Sequence, residues 1–268
     1  MYKLRSRKLL QRIRPFLNDR EIIVLHGSRQ VGKTFLLHYL MEHDLGKLFS
    51  PHNIFYFDLE DFSLLELCDS TPEDVIAYLK AKGADEQKKM CLLIDEIQYL
   101  KDPSSFLKLF HDRYQNQVKL IVSGSSSMLI KKKFKDSLAG RTVDFELFPL
   151  DFDEFLEFKN LTFDLAGKLP ETIHKELRGL YIDFILHGGY PAIVLENNLA
   201  KKEMKLKQII NTYVKKDISD IADIRDVDKF NSLLKLLAAQ TGQLVNTQEL
   251  AATLGMAKLT AQEYLFIL

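Results

Sequence analysis

Gly27-Ser28-Arg29-Gln30-Val31-Gly32-Lys33-Thr34 is the stretch on which the fold of this 268-residue chain turns. It satisfies G-x-x-x-x-G-K-[ST] at every fixed position, and a chance match in a chain of this size is on the order of 1%. A short apolar run, residues 22–25, precedes it and a helical pattern, 33–40, follows it, so the motif lies in the strand, loop, helix setting it needs. Glycines let successive backbone N–H groups turn inward around phosphate oxygens, above the positive end of the following helix. All eight residues are expected to line the phosphates, with Lys33 reaching the β and γ groups and the Thr34 hydroxyl holding magnesium.

Further apolar runs at 54–57, 91–94, 118–122 and 143–148 alternate with helical segments, among them 71–82. This pattern predicts an α/β fold: a mainly parallel five-stranded sheet with helices on both faces. The third run ends in Asp95-Glu96, two carboxylates whose side chains diverge. Asp95 is expected in the magnesium shell and Glu96 beside the attacking water, because phosphoryl transfer depends on positioning and charge stabilisation. One predicted strand lies between the two motifs, an order that resembles the additional-strand, catalytic-glutamate division of P-loop ATPases. That division places the strand after the magnesium strand beside the phosphate-loop strand, where a polar residue senses the γ-phosphate. Ser123 or Ser125 is the candidate; the competing reading is a loop capping a helix that begins near Met128.

Composition narrows the partners. Charged residues make up 28% of the chain, but 37 Lys and Arg offset 37 Asp and Glu, so no global field favours nucleic acid or an anionic membrane. No run of 18 apolar residues occurs, and the basic N-terminus, 1–14, lacks the apolar core of a secretory signal. It reads as a surface helix with Arg5 and Arg7 solvated. Cys68 and Cys91 are too few for a disulfide framework or metal cluster, and a reducing cytoplasm is the expected compartment. Lys131, Lys132, Lys133 and Lys135 form the densest basic cluster, read as a solvated face that could meet an anionic partner.

Beyond Pro149 the pattern is nearly all helix, broken by Leu169-Pro170, Gly188-Gly189-Tyr190-Pro191 and Gly242. Domains are therefore expected at 1–150 (the P-loop core), 151–225 and 226–268. The last contains three short helices, 233–239, 247–254 and 259–268, with Gly255 in a turn. Thr260, Gln262 and Lys258 would face a DNA groove, although few Lys or Arg accompany them. A protein-protein module or plain packing explains the same pattern.

The loop, Leu93-Ile94-Asp95-Glu96-Ile97-Gln98, Ser123-Gly124-Ser125, Leu138-Ala139-Gly140-Arg141, Phe148-Pro149-Leu150 with Glu154-Phe155-Leu156, and Gly188-Gly189-Tyr190-Pro191 occur in that order. The series resembles the AAA-superfamily ATPases of bacteria and archaea that carry the AAA_14 and DUF4143 pairing. The resemblance implies an AAA-type core followed by a helical lid and an incomplete winged-helix-like unit, in a family whose members continue beyond Leu268. It implies ATP, not GTP, as the nucleotide. Arg141 falls where AAA-type ATPases place an arginine finger for a neighbouring subunit, and an assembly of copies follows from that role. The rival reading is an intrachain ion pair with a carboxylate such as Asp144. Pro191 resembles the proline of a glycine-x-proline element near the nucleotide, against a plain helix break; no clear lid sensor arginine is visible, Arg178 being the one residue not excluded. The expected activity is magnesium-dependent ATP hydrolysis moving the lid and an effector, DNA or protein. The alternative is a nucleotide-gated binding module or DNA-binding switch with little hydrolysis.

Overall fold

The computed structural model describes residues 4–124, 138–164, 169–212 and 226–267. The chain divides into two compact units, Met1–Leu206 and Lys207–Leu268.

The first unit is built on five parallel strands: β1 (Ile22–His26), β2 (Ile54–Asp58), β3 (Met90–Asp95), β4 (Val118–Gly124) and β5 (Thr142–Glu146). Their order is β2-β3-β4-β1-β5, so β4 lies between the phosphate-loop strand and the Asp95 strand, as expected. The central strands are buried at every position because both faces are covered, which is why they read as continuous apolar runs. Strand alternation divides them between two cores. Ile22, Val24, Leu92, Ile94, Leu120 and Val122 pack with helices α3 (Phe62–Asp69), α4 (Pro72–Ala81) and α5 (Pro103–Tyr114). Ile23, Leu25, Cys91, Leu93 and Ile121 pack with α1 (Leu9–Ile13) and α2 (Lys33–His43). Start signals fix the helices locally. Thr71 and Asp102 cap α4 and α5 with side-chain oxygens, each followed by proline at the first helical position, where a missing N–H is harmless.

The fifth strand is shorter than predicted. Leu147 still donates to His26 O at 2.7 Å, but β1 ends there and turns into the loop, and the carbonyl of Phe148 is taken by Arg7 instead of a strand. The chain then enters α6 (Phe152–Phe158), whose Asp151 and Glu154 form a reciprocal capping box. Helices α7 (Glu171–His187), α8 (Pro191–Val194) and α9 (Leu199–Thr212) follow. Leu150, Phe155, Leu156, Phe158 and Val194 form a cluster of their own with Phe152, Leu177, Leu180 and Phe184. These helices, up to Leu206, lie within the first compact unit.

The N-terminus departs from its expectation. Helix α1 is only five residues long, continues into a 3-10 turn, and buries Leu10, Ile13 and Leu17. Arg7 is 7% exposed rather than solvated, and Arg5 donates to Glu157 O and Asn160 Oδ1, each at 3.0 Å. The physical reason is a ready set of acceptors: Phe148 O and the buried Glu154 carboxylate at the β5–α6 junction receive Arg7, and oxygens at the far end of α6 receive Arg5.

Lys119 on β4 is fully buried, donating to the carbonyls of Phe16 (2.6 Å), Asp19 (3.2 Å) and Glu21 (2.6 Å), and so fastens the loop that leads into β1. Burial pulls its ammonium down to about 8. Cys68 and Cys91 are free and buried, and burial pushes both thiols up to about 12.

The described part of the second unit contains α10 (Val227–Ala239), α11 (Thr247–Thr253) and α12 (Lys258–Ile267), with no strand among its described residues. Phe230, Leu233, Leu250 and Tyr264 form its core. Asn246 caps α11 by accepting from Gln248 N and Glu249 N, and Gly255, at φ 58°, makes the turn into α12. Among the described residues no helix is long and apolar enough to cross a membrane.

Candidate nucleotide site

The loop after β1 owes its shape to two glycines. A Cβ on Gly27 would lie 2.2 Å from Leu147 O, so only glycine lets the loop leave the sheet beside β5. Gly32 sits at φ 101°, in left-handed territory, and turns the chain into α2. Lys33 is buried and folds back across the loop, its Nζ donating to Gly27 O and Ser28 O at 2.9 Å each. The ammonium is thereby held within the loop that the glycines shape.

Asp95, 2% exposed at the end of β3, is the junction of the site. Its Oδ2 accepts from Thr34 Oγ1 at 2.6 Å and from Tyr56 OH at 3.0 Å. Its Oδ1 accepts from Ser123 Oγ and from Glu96 N, the latter at 3.2 Å. These donors come from α2, β2, β4 and the chain just beyond β3; the strand order makes that convergence, because β2 and β4 are the two neighbours of β3. The four donors fix both carboxylate oxygens in place. Burial, followed by the adjacent Asp95 charge, raises the Tyr56 phenol well above its ordinary pKa, so it remains a donor.

Glu96 adopts φ 59°, an uncommon conformation for a side-chain-bearing residue, and its Oε2 accepts from Gln98 Nε2. Thr34 Oγ1 and Asp95 Oδ2 are hard oxygens brought together from two elements, which fits magnesium, an ion that takes few protein ligands and completes its shell with water and phosphate. Among the described residues no cluster of three His, Cys, Asp or Glu offers a competing metal cage.

Pro191 is also near the loop: its Cγ lies 3.9 Å from where a Gly32 Cβ would be. The turn that carries it is pinned at Leu150, whose N–H donates to Gly189 O at 2.7 Å, and a Cβ on Gly189 would lie 2.0 Å from Leu150 O. Arg178 is exposed on α7. Arg141 is at the other end of the sheet. Its carbonyl accepts from Ile22 N at 2.8 Å, at the start of β1, roughly 15 Å along that strand from the loop. The guanidinium makes a bidentate bond to Asp112 on α5, at 2.7 and 3.1 Å, an intrachain ion pair with a carboxylate. Ser125, Met128 and the lysines at 131–133 and 135 lie outside the described residues.

Sequence reading missed Tyr56, Arg7 and Glu154. Tyr56 carried one usable signal, a hydroxyl on an apolar strand destined to neighbour the Asp95 strand. Glu154 stood in the motif series with no role attached, and nothing in the sequence tied it to Arg7, 147 residues away.

The sheet order, the loop and the two consecutive carboxylates define a P-loop NTPase core of the additional-strand division. A model described as an AAA domain (AAA_14) matches residues 19–156, and the chain belongs to that family. A second model, a domain of unknown function (DUF8612), matches residues 178–268. An uncharacterized protein of Haemophilus influenzae is 28% identical over 91% of this chain and 58% of its own length. One of Methanocaldococcus jannaschii is 31% identical over 81% of this chain and 46% of its own. The chain therefore spans about half the length of the curated relatives it matches. A Walker-type ATPase of Pyrococcus abyssi shares the fold, with a TM-score of 0.50 at 14% identity, over 98% of this chain and 89% of that one.

Proposed function

We propose that the chain binds ATP with magnesium and hydrolyses it, using the nucleotide state to move the helical region that carries Pro191. The observation that carries this reading is the Asp95 junction, where the phosphate-loop hydroxyl of Thr34 meets a buried carboxylate at 2.6 Å. Thr34 and Asp95 would hold magnesium, which neutralises phosphate charge when bound. Backbone N–H groups of the loop and Lys33 bind and orient the phosphates. Glu96 orients the attacking water and accepts its proton as the bond to the γ-phosphorus forms and the bond to the β,γ-bridging oxygen breaks. Ser123 fixes Asp95 and, at the end of β4, is the described candidate for sensing the γ-phosphate.

Exposed Lys258 and Gln262, with half-buried Thr260, on α12 support DNA or protein as the effector's partner. Two buried free thiols support the cytoplasm as the compartment. Phosphate release from ATP and magnesium tests the enzyme. Lys33→Ala should abolish it, and Glu96→Gln should lower it by about a hundredfold or more while ATP stays bound. If Glu96→Gln binds ATP but leaves turnover unchanged, Glu96 is not the water-positioning group. If the parent binds ATP yet never releases phosphate, the nucleotide-gated binding module is the better reading.

A further inference from the structure

Arg7 touches the phosphate loop from outside. Its Nη1 donates to Val31 O at 3.0 Å, its Nη2 to Phe148 O at 2.7 Å, and its Nε and Nη2 grip Glu154 at 2.9 and 3.2 Å. Glu154 is 4% exposed and is itself fixed by Lys8 N at 2.8 Å and Asp151 N at 3.3 Å. One guanidinium thus joins the N-terminal segment, the loop and the β5–α6 junction.

The bond to Val31 O matters because of the peptide it belongs to. That peptide's N–H is Gly32's, and in a planar trans peptide the C=O and N–H point in opposite directions. Holding the carbonyl from outside therefore aims the Gly32 N–H the other way. Gly32, at φ 101° and without a side chain, has little of its own to keep that plane from turning.

We propose that Arg7 is a positioning residue for phosphate binding: by clamping Val31 O it holds the Gly32 N–H toward the phosphate, and through Glu154 it ties that orientation to the start of α6. The inference rests on the phosphate-loop reading above. It also gives the loop a mechanical link to the helical region, through Phe148 O and Glu154 on one side and Pro191 on the other. A conformational shift at the start of α6 would reach the Gly32 N–H through a single side chain.

The test is calorimetric titration with ADP and magnesium, which needs no turnover, together with thermal melting without nucleotide. Arg7→Lys keeps a charge for Glu154 but loses the planar fork that reaches two carbonyls and a carboxylate together. A double variant, Arg7→Met with Glu154→Met, removes the clamp while replacing the buried pair with apolar groups, an exchange that is often neutral for folding. Arg5→Ala, which loosens the same segment without touching the loop, is the control. Arg7→Lys and the double variant should each weaken ADP binding by about tenfold, and Arg5→Ala by less than about twofold. Should Arg7→Lys fail to fold, the double variant decides. A purely structural role would lower the melting temperature and leave the ADP affinity of the folded variants at the parent's value, which overturns the inference. Parent protein that binds neither ADP nor ATP overturns the phosphate-loop reading itself.

Discussion

Asp95 has two oxygens and four donors, and the donors are not equivalent. Thr34 and Tyr56 both donate to Oδ2; if Thr34 turned to a bound magnesium, as proposed above, Tyr56, reaching Oδ2 from β2, would keep that oxygen aimed. Tyr56→Phe removes that restraint and nothing larger than one oxygen. The folded protein should lose about 1 kcal/mol, and the magnesium concentration needed for half-maximal nucleotide binding should rise by roughly threefold to tenfold. Titration of magnesium at fixed ADP checks it; an unchanged magnesium requirement would make Tyr56 a packing residue that happens to face Asp95. The ring also contacts His38, at 4.7 Å between centroids, which the Phe variant keeps. At this scale the sequence showed what lies contiguous in it. The phosphate loop and Asp95-Glu96 are legible because their chemistry depends on neighbours one to seven positions away. Tyr56 and Arg7 act on residues 39 and 24 positions away, and only the strand order and the folding back of the N-terminus bring them there.

At the scale of elements, the strands were readable because sheets buried on both faces demand continuous apolar runs, and Lys119 is the one charge that interrupts β4. Its side chain falls on the same face as Ile121, and three carbonyls from the turn before β1 receive it. Lys119→Met leaves those carbonyls without their donor and should cost about 1 to 3 kcal/mol of stability. The pH dependence has a definite sign. A lysine at about 8 when folded and near 10.5 when unfolded binds fewer protons in the folded state between those values, so its contribution to stability grows as pH rises through that window. Below pH 8 both states hold the proton and the contribution is flat. Urea unfolding of parent and variant at pH 7 and pH 9.5 should show the gap widening in the parent's favour at the higher pH. A narrowing gap would mean that the three carbonyls stabilise the ammonium more than burial opposes it. The elements that sequence misjudged, the end of β5 and the N-terminal segment, are those whose limits depend on partners elsewhere. Leu147 is the last residue that β1 can pair, and Arg7 is buried by acceptors that become available only once β5 and α6 meet.

At the scale of the whole molecule, the question is whether one copy suffices. Arg141 lies at the edge of the sheet where β1 begins, while the phosphate loop follows the edge where β1 ends, so within one chain the guanidinium does not reach the loop's phosphates. Its present partner holds it weakly. The Arg141–Asp112 pair is solvent-exposed, with side chains 30% and 40% accessible, and water screens such pairs. A guanidinium held so weakly can exchange Asp112 for the γ-phosphate of an adjacent copy. If it does, phosphate release per chain should climb with protein concentration, and Arg141→Ala should remove the climb and lower the high-concentration rate by about a hundredfold or more. Asp112→Ala, which frees the arginine, should leave the plateau intact or move the rise to lower concentration. Loss of activity in both variants would make the ion pair structural. A rate independent of concentration, and indifferent to Arg141→Ala, would mean that each chain works alone and that the charge developing on the γ-phosphate is met by Lys33 and the loop without help from a neighbour.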